Sequence, residues 1–151
     1  EKCVMDLYEV MDDFFLLICG DLNARTASKN CDDGSPDDIQ PFDVNNDNDY
    51  VLSRTSHDKE VNVFGEQLLE FCNIAECAIL NGLTEYGYDD SCTYICTSGA
   101  SVVDYFIVSC DLLTCLKIES LEVLNAVESD HLPVELAVKI CVQQKKTRLH
   151  V

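Results

Sequence analysis

One apolar run that ends abruptly in polar residues constrains the fold of this chain more than any other feature. Residues 14–19 read FFLLIC, and residues 20–23 read GDLN. The run is too short to cross a membrane, and its Phe and Ile content favours a strand that is buried on both faces. Because Gly20 permits a sharp turn, we expect Asp21 and Asn23 to emerge together at one edge of a sheet.

Asp21 and Asn23 allow two interpretations. A carboxylate and an amide two residues apart at a sheet edge can hold a metal-bound water and a phosphate oxygen. The same two residues can also make an Asx turn after a core strand, which is a purely structural role. The pair alone does not separate these interpretations, so the rest of the chain has to decide between them.

The length and composition predict one soluble domain. The chain has 151 residues, 47% of them hydrophobic, which is enough for a single core. We place the domain at 1–142, with an acidic loop at 26–50, and expect a polar tail at 143–151. No apolar run reaches the length of a transmembrane helix, so no membrane partner is expected. Because the chain starts with Glu1 and shows no basic-then-apolar leader, we interpret it as a segment of a longer intracellular protein.

The charge balance limits the kinds of partner. With 28 acidic and 10 basic residues, the formal net charge is −18. This charge repels nucleic acid at long range and argues against a general DNA-coating role. It remains compatible with a nuclease, whose phosphate contacts are few and local.

The ten cysteines are interpreted as small core residues. Most of them lie in or beside apolar segments, as free cysteines commonly do. No C-x-x-C pair is present, and the observed spacings, such as Cys72 to Cys77 and Cys92 to Cys96, make a poor zinc signature. An intracellular setting also makes disulfides rare.

Two segments flank the first strand. Residues 3–13 carry an amphipathic stripe that predicts a short helix leading into it. The loop at 26–50 is dense in Asp and Asn, and the alternating polar residues at 43–49 resemble a calcium-binding loop. Asn48 replaces the turn glycine of such a loop, and Arg54 stands where it needs a bidentate Glu. We therefore expect a solvated acidic loop in preference to a calcium site.

The remaining elements mix helix and strand, which predicts an α/β fold. An apolar face over 61–75 predicts a helix, capped by Ser56 or Asp58. Strands are expected at 78–81, 92–96, 102–108, 116–125 and 134–142. Because 98–101 has the composition of a turn, the strands on either side of it are expected to pair as an antiparallel hairpin.

Polar residues also interrupt the later strands. Asp104 falls within the apolar run VVDYFIV, where a carboxylate is costly unless it is paired or hydrogen-bonded. An alternative is that Asp104 faces solvent on an alternating strand.

Asp130 and His131 stand just before the last strand. Asp21 and Asp130 are suitable oxygen ligands for a divalent cation. His131 can act as a base or charge stabiliser if a carboxylate such as Asp104 fixes its tautomer.

Three motifs in this order resemble those of the endonuclease/exonuclease/phosphatase superfamily. They are GDLNA at 20–24, SVVDY at 101–105 and SDHLPV at 129–134. Shorter stretches resemble more closely the endonuclease domain of long-interspersed-element retrotransposons, which accompanies their reverse transcriptase: RTSHDK at 54–59, NVFG at 62–65, ILNG at 79–82 and TY at 93–94. The resemblance covers nearly the whole chain.

The resemblance implies a DNA endonuclease that depends on Mg²⁺ or Mn²⁺. Asp21 would position or deprotonate the attacking water, and Asn23 would hold a non-bridging phosphate oxygen. Asp104 would orient His131, which would contact the scissile phosphate. Asp130, together with Asp21, would hold the metal. An enzyme of this kind would act on DNA in the nucleus.

The resemblance also implies a fold of which this chain is one half. The superfamily forms a four-layer α/β/β/α sandwich, and the chain corresponds to its carboxyl-terminal half, expected as one mixed β-sheet with helices on one face. The amino-terminal half, which carries the main metal-binding Glu, has no counterpart here, so we expect impaired activity and weak metal binding. An apolar sheet face is expected to be exposed where that half would pack, which favours self-association.

Two other functions stay open at this point. A catalytically inactive remnant that binds a partner or self-associates is suggested by the acidity and by the absent Glu. A phosphatase or lipid phosphodiesterase of the same superfamily would share the three motifs.

Overall fold

A small antiparallel sheet with a central apolar strand organises the fold. The computed structural model describes residues 15–30, 52–115, 117–125 and 128–139. The elements within these ranges, in chain order, are β1 (Leu17–Asp21), α1 (Val63–Ile74), β2 (Cys77–Ile79), a 3₁₀ turn (Thr84–Tyr86), β3 (Tyr94–Cys96), β4 (Gly99–Ser101), β5 (Asp104–Ser109), α2 (Cys110–Cys115), β6 (Lys117–Val123) and β7 (Val134–Lys139). The chain is therefore a mixed α/β protein.

β5 is the middle strand of the main sheet, whose order is β1-β5-β2. Its residues Tyr105, Ile107 and Val108 are each at most 1% exposed, as expected for a β-branched and aromatic run in the centre of a sheet. β1 pairs antiparallel with one edge of β5, in a register that sets Asp21 opposite Asp104. β2 pairs antiparallel with the other edge.

The two faces of this sheet are covered by different elements. On one face, Cys72 of α1 and Ala75, the residue after the helix, belong to a core that also contains Ile107. On the other face, Val108 lies in a second core with residues of α2, β6 and β7, among them Leu121. The described chain is therefore layered as helix, main sheet and a second small sheet, with α2 beside the latter.

The helix predicted at 61–75 is confirmed, but a different residue caps it. α1 follows Asn62, whose side chain accepts the backbone N–H of Gly65 at 2.7 Å. The prediction that Ser56 or Asp58 caps the helix is wrong because both side chains have other partners. Ser56 accepts the backbone N–H of Asp58, and the Asp58 carboxylate binds Arg25.

The strand predicted from the first apolar run is present, but its burial on both faces is wrong. Four of the five residues of β1 are exposed, and Ile18 is half-buried. Leu17 is 43% exposed, and Phe15, just before the strand, is 60% exposed. Within the described residues β1 pairs with β5 alone, so it is an edge strand and lacks the second neighbour that would cover it.

The predicted hairpin between 92–96 and 102–108 is also wrong. β3 pairs instead with β4, a segment that was expected to be the turn, and β5 joins the main sheet. Cys96 lies opposite Gly99, so two residues are enough for the loop between them. Gly99 has a φ of 153°, which a glycine adopts without the strain that a side chain would bring.

The last two predicted strands form a separate sheet. β6 and β7 pair antiparallel and lie within the ranges predicted for them. The described strands make three sheets, and every pairing is antiparallel, so the prediction of a single mixed sheet is wrong.

Three predicted segments lie outside the described residues: the helix expected at 3–13, the acidic stretch at 31–50 and the tail at 143–151. Within the described ranges, none of the helices combines the length and the apolar character that a membrane crossing requires.

An ion pair ties the segment after β1 to the segment before α1. Arg25 donates two hydrogen bonds to the Asp58 carboxylate, at 2.8 and 2.6 Å, and Asp58 is only 2% exposed. The same carboxylate accepts the backbone N–H groups of Glu60 and Val102. Burial alone would raise the pKa of Asp58, but these hydrogen bonds outweigh burial and hold its pKa below the ordinary value.

Gly65 is the point of closest approach between α1 and the segment after β1. A Cβ there would lie 1.8 Å from the Arg25 carbonyl oxygen, and neither backbone can move away easily. Gly65→Ala should therefore lower the free energy of unfolding by about 3 kcal/mol, although the same change inside a free helix stabilises by about 1 kcal/mol. Urea unfolding followed by circular dichroism measures the effect. Glu66→Ala, on the exposed side of the same turn, is the control and should stay within about 0.5 kcal/mol.

Asp58→Asn tests the ion pair through the pH dependence of stability. Because the folded-state pKa of Asp58 is lowered, the charge stabilises the fold above the unfolded pKa, and this stabilisation is lost as pH falls through the folded pKa. The free energy of unfolding of the variant should be lower by about 2 kcal/mol at neutral pH. It should also decrease less steeply than that of the wild type as the pH falls. Glu60→Gln, which removes the exposed partner of Arg25, is the matched control with a smaller expected loss. If the free energy of unfolding fell equally with acid pH in the wild type and in Asp58→Asn, the proposed role of the ion pair would be wrong.

Candidate active site

Two carboxylates lie opposite each other at one end of the main sheet. Asp21 is the last residue of β1, Asp104 is the first residue of β5, and the strand register pairs them directly. Like charges in directly opposed positions repel each other and destabilise a strand pair. A cationic group or a hydrogen-bond donor is therefore needed close to both carboxylates.

His131 supplies that group. Its Nδ1 lies 3.0 Å from Asp104 Oδ2, and its Nε2 lies 4.0 Å from Asp21 Oδ2. One ligand atom from each of the three side chains lies within 4.8 Å of the other two, and no other His, Cys, Asp and Glu side chains in the described ranges form such a group. The hydrogen bond to Asp104 raises the pKa of His131, a slight burial opposes it, and the charges of Asp104, Asp21 and Asp130 add to the rise.

The hydrogen bond also fixes the imidazole. Because an ionised carboxylate can only accept, Nδ1 is assigned as the nitrogen that carries a proton and donates it to Asp104. Nε2 is then the nitrogen that faces Asp21 and the solvent. The contact between Asp104 and His131 that the sequence predicts is present in the structure.

The backbone on either side of His131 is hydrogen-bonded to β3 and to Thr93, the residue before it. The Ile95 N–H donates to the Asp130 carbonyl at 2.8 Å, and the Leu132 N–H donates to the Thr93 carbonyl at 2.6 Å. The imidazole is 38% exposed, so these backbone bonds position the residue while the hydrogen bond to Asp104 orients its ring. The turn that carries His131 therefore depends on β3 being in place.

The two carboxylate oxygens of Asp21 face different groups. Its Oδ1 accepts the Asn23 backbone N–H at 2.8 Å, which is the expected Asx turn. Its Oδ2 faces His131, and the Asp21 side chain is 51% exposed. Asn23 is exposed with a φ of 51°, and its carbonyl accepts a hydrogen bond from the Asn62 side chain. The turn uses one Asp21 oxygen and leaves the other for the site.

Asp130 lies at the margin of this cluster. It is exposed, and its charge adds to the field that raises the pKa of His131. The three side chains whose ligand atoms lie within 4.8 Å of one another are those of Asp21, Asp104 and His131, and the Asp130 carboxylate is not one of them. The sequence-based assignment of Asp130 as a metal ligand stays a prediction.

Two buried polar residues hold Asp104 and were noted in the sequence only as parts of longer motifs. Thr93 is fully buried, and its hydroxyl accepts the N–H groups of Asp104 at 3.0 Å and Val103 at 3.1 Å. Asn81 is 2% exposed, donates to the Asp104 carbonyl at 3.1 Å and accepts the Phe106 N–H at 3.0 Å. For Asn81 the sequence signal is a polar side chain directly after the apolar residues 78–80, whereas no such signal marks Thr93.

A cavity of about 470 Å³ opens beside His131. Asp104 and His131 line one part of it, and the rest is mostly apolar, with contributions from Cys19, Phe106, Leu132, Pro133 and Val134. The ring of Tyr94 lies 4.9 Å from the His131 ring at an angle of 57°. The polar cluster therefore borders a concave surface large enough for a small organic group.

No protein family, curated protein or solved structure matched the chain. The resemblance to the endonuclease/exonuclease/phosphatase superfamily therefore rests on its three motifs and on the shorter stretches between them. What that resemblance implies for function is accordingly a proposal.

The pKa of His131 tests the geometry of the cluster directly. We expect the pKa to lie above the ordinary value in the wild type and to fall in Asp104→Asn. A raised folded-state pKa also means that His131 stabilises the fold below its unfolded pKa, and that this contribution is lost as pH rises through the folded pKa. A titration of the imidazole resonances by NMR measures both variants, and His57 in the same spectra is the internal control. An equal His131 pKa with and without Asp104 would contradict the observed contact.

Proposed function

We propose that this chain carries the inherited site of a Mg²⁺-dependent phosphodiesterase, most simply a DNA endonuclease of retrotransposon origin. The observation that carries the proposal is the convergence of Asp21, Asp104 and His131 at one sheet end, with Asp104 on Nδ1 and Nε2 left open. These three residues belong to three separate motifs of the sequence. Their meeting in space is what phosphodiester hydrolysis at a common site requires.

The donor chemistry of the site fits Mg²⁺. This ion prefers oxygen ligands, keeps several of its waters and is commonly held by one or two carboxylates together with substrate phosphates. Asp21 presents an oxygen that the Asx turn does not use, and Asp130 is exposed nearby. Asp21 and Asp130 would therefore hold the ion, which supplies stabilisation of the charge that grows on the phosphoryl group.

The protein's own groups divide the remaining work. Asp104 holds the imidazole by Nδ1, so Nε2 can donate to a phosphate oxygen when His131 is protonated. Asp21 would orient a water, and the exposed Asn23 amide would donate to a non-bridging phosphate oxygen.

The layering of the fold supports the same proposal. α1 covers one face of the main sheet, and the β6-β7 sheet packs on the other, so helix, sheet and sheet follow in order. The first two of these layers, helix and main sheet, correspond to one half of the superfamily's α/β/β/α sandwich. The exposed β1 edge is where we would expect further chain, or a second copy, to pack.

Nicking of supercoiled plasmid DNA tests the proposal. The chain should nick slowly in the presence of Mg²⁺ and lose this activity in a chelator, since the ion would stabilise the charge that grows on the phosphoryl group. His131→Ala should lower the rate by at least about 100-fold. His57→Ala removes an exposed histidine that pairs with Asp90 instead and is the matched control. The absence of Mg²⁺-dependent nicking, or nicking that survives His131→Ala, contradicts the endonuclease.

The same assay separates neighbouring functions. A phosphatase or lipid phosphodiesterase would leave the plasmid intact and would hydrolyse a phosphomonoester or a phospholipid, with the same dependence on His131. A remnant without catalysis would hydrolyse none of these substrates.

A further inference from the structure

The gap between His131 and Asp21 has the span of a metal bridge. Nε2 and Oδ2 lie 4.0 Å apart, and their side chains are 38% and 51% exposed. A Zn²⁺ ion binds imidazole nitrogen at about 2.0–2.1 Å and carboxylate oxygen at about 2.0–2.2 Å, so these two atoms are already close enough to share one ion. The exposed Asp21 side chain can move inward to reach a tetrahedral angle, whereas a direct hydrogen bond is excluded at this distance.

Asp104 prepares His131 for such an ion. Histidines that bind metals almost always donate their other ring N–H to a carboxylate or carbonyl, which fixes the tautomer and makes the free nitrogen more basic. Here Nδ1 lies 3.0 and 3.3 Å from the two Asp104 oxygens. Thr93 and Asn81 hold the Asp104 backbone from both sides, so this support is rigid.

The donor set selects the kind of ion. Carboxylate oxygens suit Mg²⁺ and Mn²⁺, whereas imidazole nitrogen suits Zn²⁺, Cu²⁺, Ni²⁺ and iron. A site built from Nε2 and one carboxylate therefore favours a late first-row ion over Mg²⁺. Water can complete the coordination because both side chains are partly exposed.

We propose that His131 Nε2 and Asp21 Oδ2 form a binding site for a late first-row transition ion such as Zn²⁺, and that this ion blocks the site. It takes the nitrogen that would otherwise contact the phosphate, together with an oxygen that Mg²⁺ would use. The binding of Zn²⁺ stands by itself, while the inhibitory role rests on the proposed function. The site would then be switched off by a metal that competes for its own residues.

The identity of the coordinating nitrogen is the sharpest test. Zn²⁺ is titrated into the full chain labelled with ¹⁵N at histidine, at mildly alkaline pH, and the two ring nitrogens of His131 are followed in long-range ¹H–¹⁵N spectra. The expected result is a shift of Nε2 to the metal-bound range, with Nδ1 still protonated. Binding through Nδ1, or no change at His131, overturns the proposal.

Variants separate this site from binding by the cysteines. His131→Gln should weaken the Zn²⁺ affinity of the site by more than about tenfold, and Asp104→Ala should weaken it by about tenfold. His57→Gln is the control and should leave the His131 shift unchanged. Co²⁺ replaces Zn²⁺ in a parallel optical titration, in which thiolate ligands give strong near-ultraviolet bands and the proposed site gives weak visible bands alone. Visible bands of bound Co²⁺, after subtraction of the free aqua ion, that are unchanged in His131→Gln overturn the site.

The inhibitory role is measured by plasmid nicking in Mg²⁺. Zn²⁺ at the concentration that saturates Nε2 in the NMR titration should reduce nicking by at least about tenfold, and a chelator selective for Zn²⁺ should restore it. Undiminished nicking with Nε2 saturated overturns inhibition while leaving the binding site in place. If the chain does not nick under any condition, the proposed function and the inhibitory role fail together, and the NMR titration still decides whether Zn²⁺ binds.

Discussion

The antiparallel register of β1 and β5 is the constraint on which the site depends. It sets Asp21 directly opposite Asp104 at the point where both strands meet the solvent. A shift of one residue would turn either carboxylate to the opposite face of the sheet, so the site exists in this register alone. The buried side chains of β5, such as Tyr105 and Ile107, fix the register because they point into the core only when the strands pair in this way.

The cost of facing carboxylates is met by groups from several parts of the chain. His131 bonds to Asp104 and faces Asp21, which reduces the repulsion between the two charges. Thr93 and Asn81 satisfy the backbone of Asp104 where the regular strand pairing ends. Two facing carboxylates destabilise the strand pair, yet several side chains are arranged to hold them. This pattern is expected of a functional site.

The sequence predicts the partners of this site better than it predicts their surroundings. An Asp within an apolar strand and a downstream Asp-His pair were enough to expect the contact of Asp104 with His131, because a buried carboxylate needs a partner. The burial of β1 was not predictable, since an apolar run does not reveal whether a second strand covers it. The cap of α1 was missed because Asp58 is a good cap by type, and only the fold shows that Arg25 engages it. The β3-β4 pairing was missed because turn-like residues at 98–101 also form a short strand.

Paramagnetic broadening by Mn²⁺ is the most direct test of the claim that this sheet end is a divalent-cation site. Mn²⁺ added in substoichiometric amounts to the ¹⁵N-labelled chain broadens amide resonances according to their distance from the ion. We predict that Asp21, Asp104 and His131 broaden first, which is the result expected if the ion binds to the carboxylates at this sheet end. Broadening centred on the acidic stretch at 31–50, with these three residues unaffected, would contradict it.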